Sequence, residues 1–205
     1  MKISKRNIGH MMLKHGLDLL GTLEIPGPES NPVIDAMWRR AGYPGLDDET
    51  EWCGVAMAEI VRRCMEPPID SSYIYEVYRA IDSWKSIYPH MGHSATEKVL
   101  SEIQSLYIHS GKIIIPGSPA WARSWLKFGQ CVWDKKTYEG LIASVKPGDV
   151  CIFERGDGGH VGLFWGWDGT TGIKVLGGNQ DNSVLIKPYP ANRLLGIRRA
   201  VISKP

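Results

Sequence analysis

Val150-Cys-Ile-Phe-Glu-Arg155-Gly-Asp-Gly-Gly-His160-Val-Gly-Leu-Phe-Trp-Gly-Trp167 holds two β-rich runs, 150–154 and 160–167, around a glycine-rich turn. Branched and aromatic residues in short runs, bounded by Gly and Asp, predict strands joined in a hairpin. Downstream, 172–176, 183–189 and 195–202 repeat the pattern between Gly, Asp, Asn and Pro. Their spacing predicts an antiparallel meander.

Upstream, the period lengthens to that of helices. Ile8, Met11, Met12 and Leu19 predict a helix over about 5–20. The stretch 21–32 has three prolines and two glycines and reads as a loop, after which Ser30 is a candidate cap for a second helix with Pro32 in its first turn. Ile34, Met37, Trp38 and Ala41 form its apolar stripe. Residues 53–64 place Cys53, Met57, Ile60 and Cys64 on one face, and Pro67 and Pro68 stop this third helix. Residues 73–87 and a run opened by the capping box Ser94-Ala-Thr-Glu97 predict a helical hairpin, inserted at about 67–115. A short helix is expected near 121–128. Helices first and a sheet afterwards give an α+β fold, in a single domain over 1–205 with N-terminal helices packed on a C-terminal antiparallel sheet.

Composition narrows the function classes. The chain is 43% hydrophobic with a net charge of +2, and no basic run is long enough to track phosphates, so nucleic acid is not an expected partner. His10, Lys14, His15 and Asp18 interrupt the N-terminal apolar stretch, so no signal-peptide core is expected. No segment approaches the roughly 20 apolar residues that span a bilayer, so no stable membrane insertion is expected. Synthesis in the cytoplasm, with any outside action after release or delivery, follows as the expectation. Cys53, Cys64, Cys131 and Cys151 form no CxxC pair and are expected as free thiols. His90 and His93 lack further ligands for zinc. The acidic run Asp47, Asp48, Glu49 and Glu51 lacks the alternation of a calcium loop and reads as solvated. No metal or cofactor is expected.

Three residues suggest chemistry. Thr50 as an N-cap would put Cys53 at the third helical position, where the helix dipole favours a thiolate. His160 opens a strand in Gly158-Gly159-His160-Val161-Gly162, bare of bulky neighbours, as a general base facing a cleft would be. Gly159 and its neighbouring glycines allow another backbone or a substrate to approach closely. Asn179, in Gly177-Gly178-Asn179-Gln180, offers an amide oxygen to fix the imidazole tautomer, and Gln180 offers the same. Trp52 is a candidate cleft wall, and Trp165 is a candidate platform for a glycan ring; both also suit a core.

These blocks, with Glu24-Ile-Pro-Gly-Pro28, Asn31-Pro32, Ala122-Arg-Ser-Trp-Leu126, Lys146-Pro-Gly-Asp149 and Leu195-Gly-Ile-Arg-Arg199, occur in order along nearly the whole chain. In that order they resemble the CHAP family (cysteine, histidine-dependent amidohydrolases/peptidases) and its NlpC-type relatives, more narrowly a phage-associated branch. The stretch 67–115 is longer than that branch carries, and Trp52 stands where many NlpC-type enzymes have Asp. The resemblance implies a papain-like fold and metal-free hydrolysis of an amide bond in peptidoglycan, by an endopeptidase or an N-acetylmuramoyl-L-alanine amidase. It implies Cys53 as nucleophile through a thioester acyl-enzyme, His160 as base, Asn179 as its orienting partner, and the Cys53 N–H as an oxyanion donor. Trp52, Gly159, Gln180 and Trp165 would contact substrate. A phage or virion-associated lysin is the first expectation, with a holin or virion partner. A secreted antibacterial effector with an immunity partner is the second. A non-catalytic wall-binding or structural virion protein is the third.

Overall fold

Residues 150–153 and 159–165 are buried without interruption, and successive side chains serve two packed faces of the sheet. The strands β3 (Val150–Arg155) and β4 (Gly158–Asp168) pair antiparallel, from Val150↔Leu163 to Arg155↔Gly158. Val150, Ile152, Val161 and Leu163 join the main core, while Cys151, Phe153 and Phe164 join a second cluster on the opposite face. This is the period-2 geometry of a sheet covered on both sides.

The computed structural model describes residues 6–65, 112–134, 138–169 and 171–203. Three helices precede the sheet: α1 (Arg6–Leu17), α2 (Pro32–Arg40) and α3 (Cys53–Arg63). The other elements are β1 (Lys112–Ile113), a 3-10 helix (Ala122–Lys127), β2 (Gln130–Trp133), α4 (Tyr138–Ser144), β5 (Gly172–Gln180), β6 (Ser183–Pro190), β7 (Leu194–Arg199) and β8 (Ile202–Ser203). The fold is α+β, built on a six-stranded sheet ordered β2-β7-β3-β4-β5-β6, with β1 and β8 pairing separately.

The expected meander holds from β3 to β6 and then departs. β7 does not extend the β6 edge; it returns to pair with β3, and β2 pairs with β7 beyond it. Residues 130–133, unassigned from sequence, form that strand. The return is pinned electrostatically: Asp149 accepts from Arg199 Nε at 2.7 Å and Nη2 at 2.6 Å, and from the Lys146 N–H at 2.8 Å. The Lys146–Asp149 block is therefore a turn that grips the last long strand.

α3 packs against β4 and β5, with α1 and α2 against α3. Every residue of α3 from Cys53 to Val61 is buried. Glu59 is among them, and its carboxylate binds Arg40, Arg62 and Arg63. Burial alone would raise its pKa, but the three guanidinium groups hold it at about 2. The second helix is capped by Asn31, whose Oδ1 accepts from the Val33 N–H at 2.8 Å, and not by Ser30. The first helix ends at Leu17, three residues before the sequence suggests. The expected insertion at 67–115 lies outside the described residues except for 112–115, so the helical hairpin, His90, His93 and the Ser94–Glu97 box lie outside them too. Among the described residues no helix is long and apolar enough to cross a membrane.

Candidate active site

α3 starts two residues later than the sequence suggests. Thr50 Oγ1 bonds Asp47 Oδ1 at 3.1 Å and does not cap the helix; Trp52 is the N-cap, which puts Cys53 at the first helical position. Trp52 is fixed from below. Its Nε1 donates to Glu24 Oε1 at 2.8 Å, and Glu24 N in turn donates to the Asn182 carbonyl. This ties the start of α3 to the β5–β6 turn. The acidic loop contributes to the same anchoring, because Asp48 is fully buried. Its Oδ2 accepts from the Ile25 and Asn31 N–H groups, both at 2.8 Å. Burial opposes its charge, yet these donors hold its pKa below the usual value. The expectation of a solvated loop fails at this residue. Among the described residues no group of His, Cys, Asp and Glu is placed to hold a metal ion.

The Cys53 sulfur lies against the backbone N–H groups of Val161 and Gly54. The thiol therefore abuts the peptide that follows His160. These donors, and the Arg155 charge, favour a thiolate. Burial outweighs them and raises the Cys53 pKa to about 11, so the dipole-lowered thiol expected from sequence is not what this environment produces. His160 is fully buried, and burial lowers its pKa to about 4 against the opposing effect of Gln180. At neutral pH the two groups are an uncharged thiol and an uncharged imidazole.

Gln180, and not Asn179, holds that imidazole. His160 Nε2 and Gln180 Oε1 are 3.1 Å apart, and Gln180 Nε2 donates to the carbonyls of Val175 and Gly177. The cause is a bulge. The β5–β6 register shifts between Gly177 and Gln180, with Asn179 at φ 53°. Gly178 faces α3, where an added Cβ would lie 2.4 Å from the Trp52 ring; Gly177 faces His160 Nε2. Simple alternation would send Gln180 toward α3. The extra residue re-aims it to the His160 face. Asp181 and Asn182, both with positive φ, then close the hairpin.

His160 Nδ1 is buried without a hydrogen-bond partner, Cys53 included, among the described residues. It is the free basic nitrogen of the site. Tyr189 stacks on the imidazole, with centroids 4.9 Å apart and planes at 11°, and also meets the Phe153 ring at 5.0 Å. Burial raises the Tyr189 pKa to about 12, so the phenol stays neutral. Sequence reasoning missed Tyr189, because it lies on β6, two strands from β4. Only its place on a predicted strand was legible.

The expected substrate contacts change. Trp52 is fully buried and Trp165 is 9% exposed, so both belong to the core. Gly159 is packed under the chain's own 3-10 helix, since an added Cβ would meet Ala122 Cβ at 3.3 Å and Arg123 Cγ at 3.2 Å. Gln180 is 1% exposed and positions His160, without facing solvent. The glycine that matters for the helix start is Gly54, where a Cβ would lie 2.3 Å from the Pro119 oxygen. The segment 119–122 thus lies over both Gly54 and Gly159. Trp121 within it is 70% exposed. No family model, curated protein or solved structure matches this chain.

Proposed function

We propose that this chain is a cysteine peptidase or amidase with a papain-like fold that hydrolyses an amide bond in bacterial cell-wall peptide. The observation that carries the reading is the thiol at the first position of α3, against the peptide following His160, whose Nδ1 is free while Gln180 holds Nε2. No hydrogen bond joins Nδ1 to Cys53 at rest, so general-base activation of the neutral thiol would need the imidazole to swing toward Sγ. Proton transfer from Sγ to Nδ1 would give thiolate and imidazolium together. The thiolate would attack the carbonyl and expel the amine with the proton from His160. Water activated by the same nitrogen would then release the acid from the thioester. Gln180 would keep the ring oriented, and Tyr189 would cover its face.

Peptidoglycan as substrate is supported by the ordered sequence blocks, as is a phage or virion-associated setting; a secreted effector is the second setting. The deep burial of Cys53 favours one other reading, a wall-binding or structural protein of the same fold in which the thiol is inert. Purified peptidoglycan incubated with wild type and with Cys53→Ala, followed by mass spectrometry of the released fragments, separates them. The hydrolase reading expects release by the wild type alone, with the fragment ends naming the bond cut. Equal release by both, or none by either, rejects it.

A further inference from the structure

Arg155 is the last residue of β3, and it lies two residues beyond Phe153, on the same side of the strand. Phe153 is the register partner of His160, and Tyr189 stacks on both rings. The guanidinium therefore stands at the solvent end of the face that carries the imidazole. Its hydrogen bond among the described residues runs from Nη1 to the Asn179 carbonyl oxygen at 3.3 Å. Asn179 is the bulge residue beside Gln180, so the bulge that aims Gln180 also anchors Arg155. The side chain is exposed, and its charge is felt at Cys53, His160 and Tyr189.

The neighbouring cations are engaged differently. Lys187 is paired with Asp181, and Arg123 Nε donates to the Gly158 carbonyl at 2.6 Å. No carboxylate of the described residues pairs with Arg155. Glu51 acts on the thiol from the opposite sign of charge without reaching the guanidinium. A guanidinium has five N–H donors in a fork that fits a carboxylate, and here one donor is used. An exposed cation whose charge reaches the thiol, anchored on the bulge and with most donors free, is suited to an anion brought by the substrate.

We propose that Arg155 is a specificity-determining residue that binds a carboxylate on the residue flanking the scissile amide, so that the preferred substrate is an acidic peptide. This rests on the hydrolase reading, and it names the chemistry that the site would select. Amidation of that carboxylate removes the charge and one acceptor, and weakens recognition.

The test has two arms, each with wild type, Arg155→Gln and Arg155→Lys. In the first, kcat/KM is compared on muropeptides with free and with amidated stem-peptide carboxylates. Arg155→Gln is expected to lose roughly 10- to 100-fold on the free acids and little on the amidated forms. Arg155→Lys is expected to keep part of the preference. Equal loss on both substrate forms overturns the proposal. The second arm needs no hydrolysis. Cys53 is alkylated with iodoacetate and with iodoacetamide, and the modification is read on the Cys53 peptide by mass spectrometry. The iodoacetate-to-iodoacetamide rate ratio is expected to fall roughly 5-fold in Arg155→Gln. An unchanged ratio means that Arg155 does not draw anions to the thiol. If the wild type cleaves no muropeptide, the hydrolase reading fails by itself, and the alkylation ratio alone supports or overturns anion binding by Arg155.

Discussion

Cys53 was visible in the sequence as a cysteine at a helix start, but its environment was not. A helix N-terminus and two backbone donors favour the thiolate, and burial among the start of α3, β4 and the 119–122 segment overrides them. With a pKa of about 11, the thiolate fraction at pH 7 is on the order of one in ten thousand. Iodoacetamide should therefore modify Cys53 slowly at pH 7, with a rate rising close to tenfold per pH unit toward pH 10. A plateau below pH 8 contradicts a neutral resting pair. His160 makes the complementary prediction. Its pKa is about 4 folded and 6.5 in its ordinary state. Between these values the unfolded chain binds the extra proton, so stability is full above pH 6.5 and is lost as pH falls toward 4. The loss attributable to this group is about 3 kcal/mol at most. Urea unfolding at pH 7 and pH 4.5 checks it: His160→Gln should show a shallower pH dependence than wild type. An identical slope places the titrating group elsewhere. Asn179 and Gln180 were both legible as orienting candidates. The choice between them depended on one bulge residue, which side-chain chemistry alone does not reveal.

At the scale of elements, β3 to β6 were legible because the branched and aromatic runs and the Gly, Asp, Asn and Pro between them agree. The limits of α3 were less so. Thr50 is a good cap by residue type, yet Asp47 takes its hydroxyl, and the helix begins after Trp52. Trp52 and Trp165 were open between cleft and core, and the packing of Trp52 against Gly178 could not be read from either residue alone. The junction of α3 with the 119–122 segment offers a sharp test. Gly54→Ala places a methyl 2.3 Å from the Pro119 oxygen and 2.4 Å from the Ala120 oxygen, against backbone on both counts. Neither can yield as a flexible side chain does. Alanine is the better helix former, so a propensity argument predicts stabilisation. The packing predicts a loss of about 1–3 kcal/mol in chemical denaturation. A neutral or stabilising result means that the segment does not lie on α3 as described.

For the whole molecule, the sequence indicated the α+β class but not where the last long strand goes. Placement of β7 beside β3 depends on Asp149 and Arg199, which are 50 residues apart. Burial raises the Asp149 pKa even though Arg199 opposes it, so the carboxylate depends on its partner. Asp149→Ala leaves the Arg199 guanidinium without it, and should cost about 3 kcal/mol, or on the order of 10 °C in Tm. An unchanged melting curve contradicts that role. The central claim is that Cys53 carries the acyl group during amide hydrolysis. Its most direct measurement is acid quench of wild type turning over a muropeptide, followed by mass spectrometry of the Cys53 peptide. The account predicts a thioester adduct with the mass of the acyl fragment on Cys53 in wild type, and no adduct and no turnover in Cys53→Ala. Turnover that persists in Cys53→Ala would contradict it.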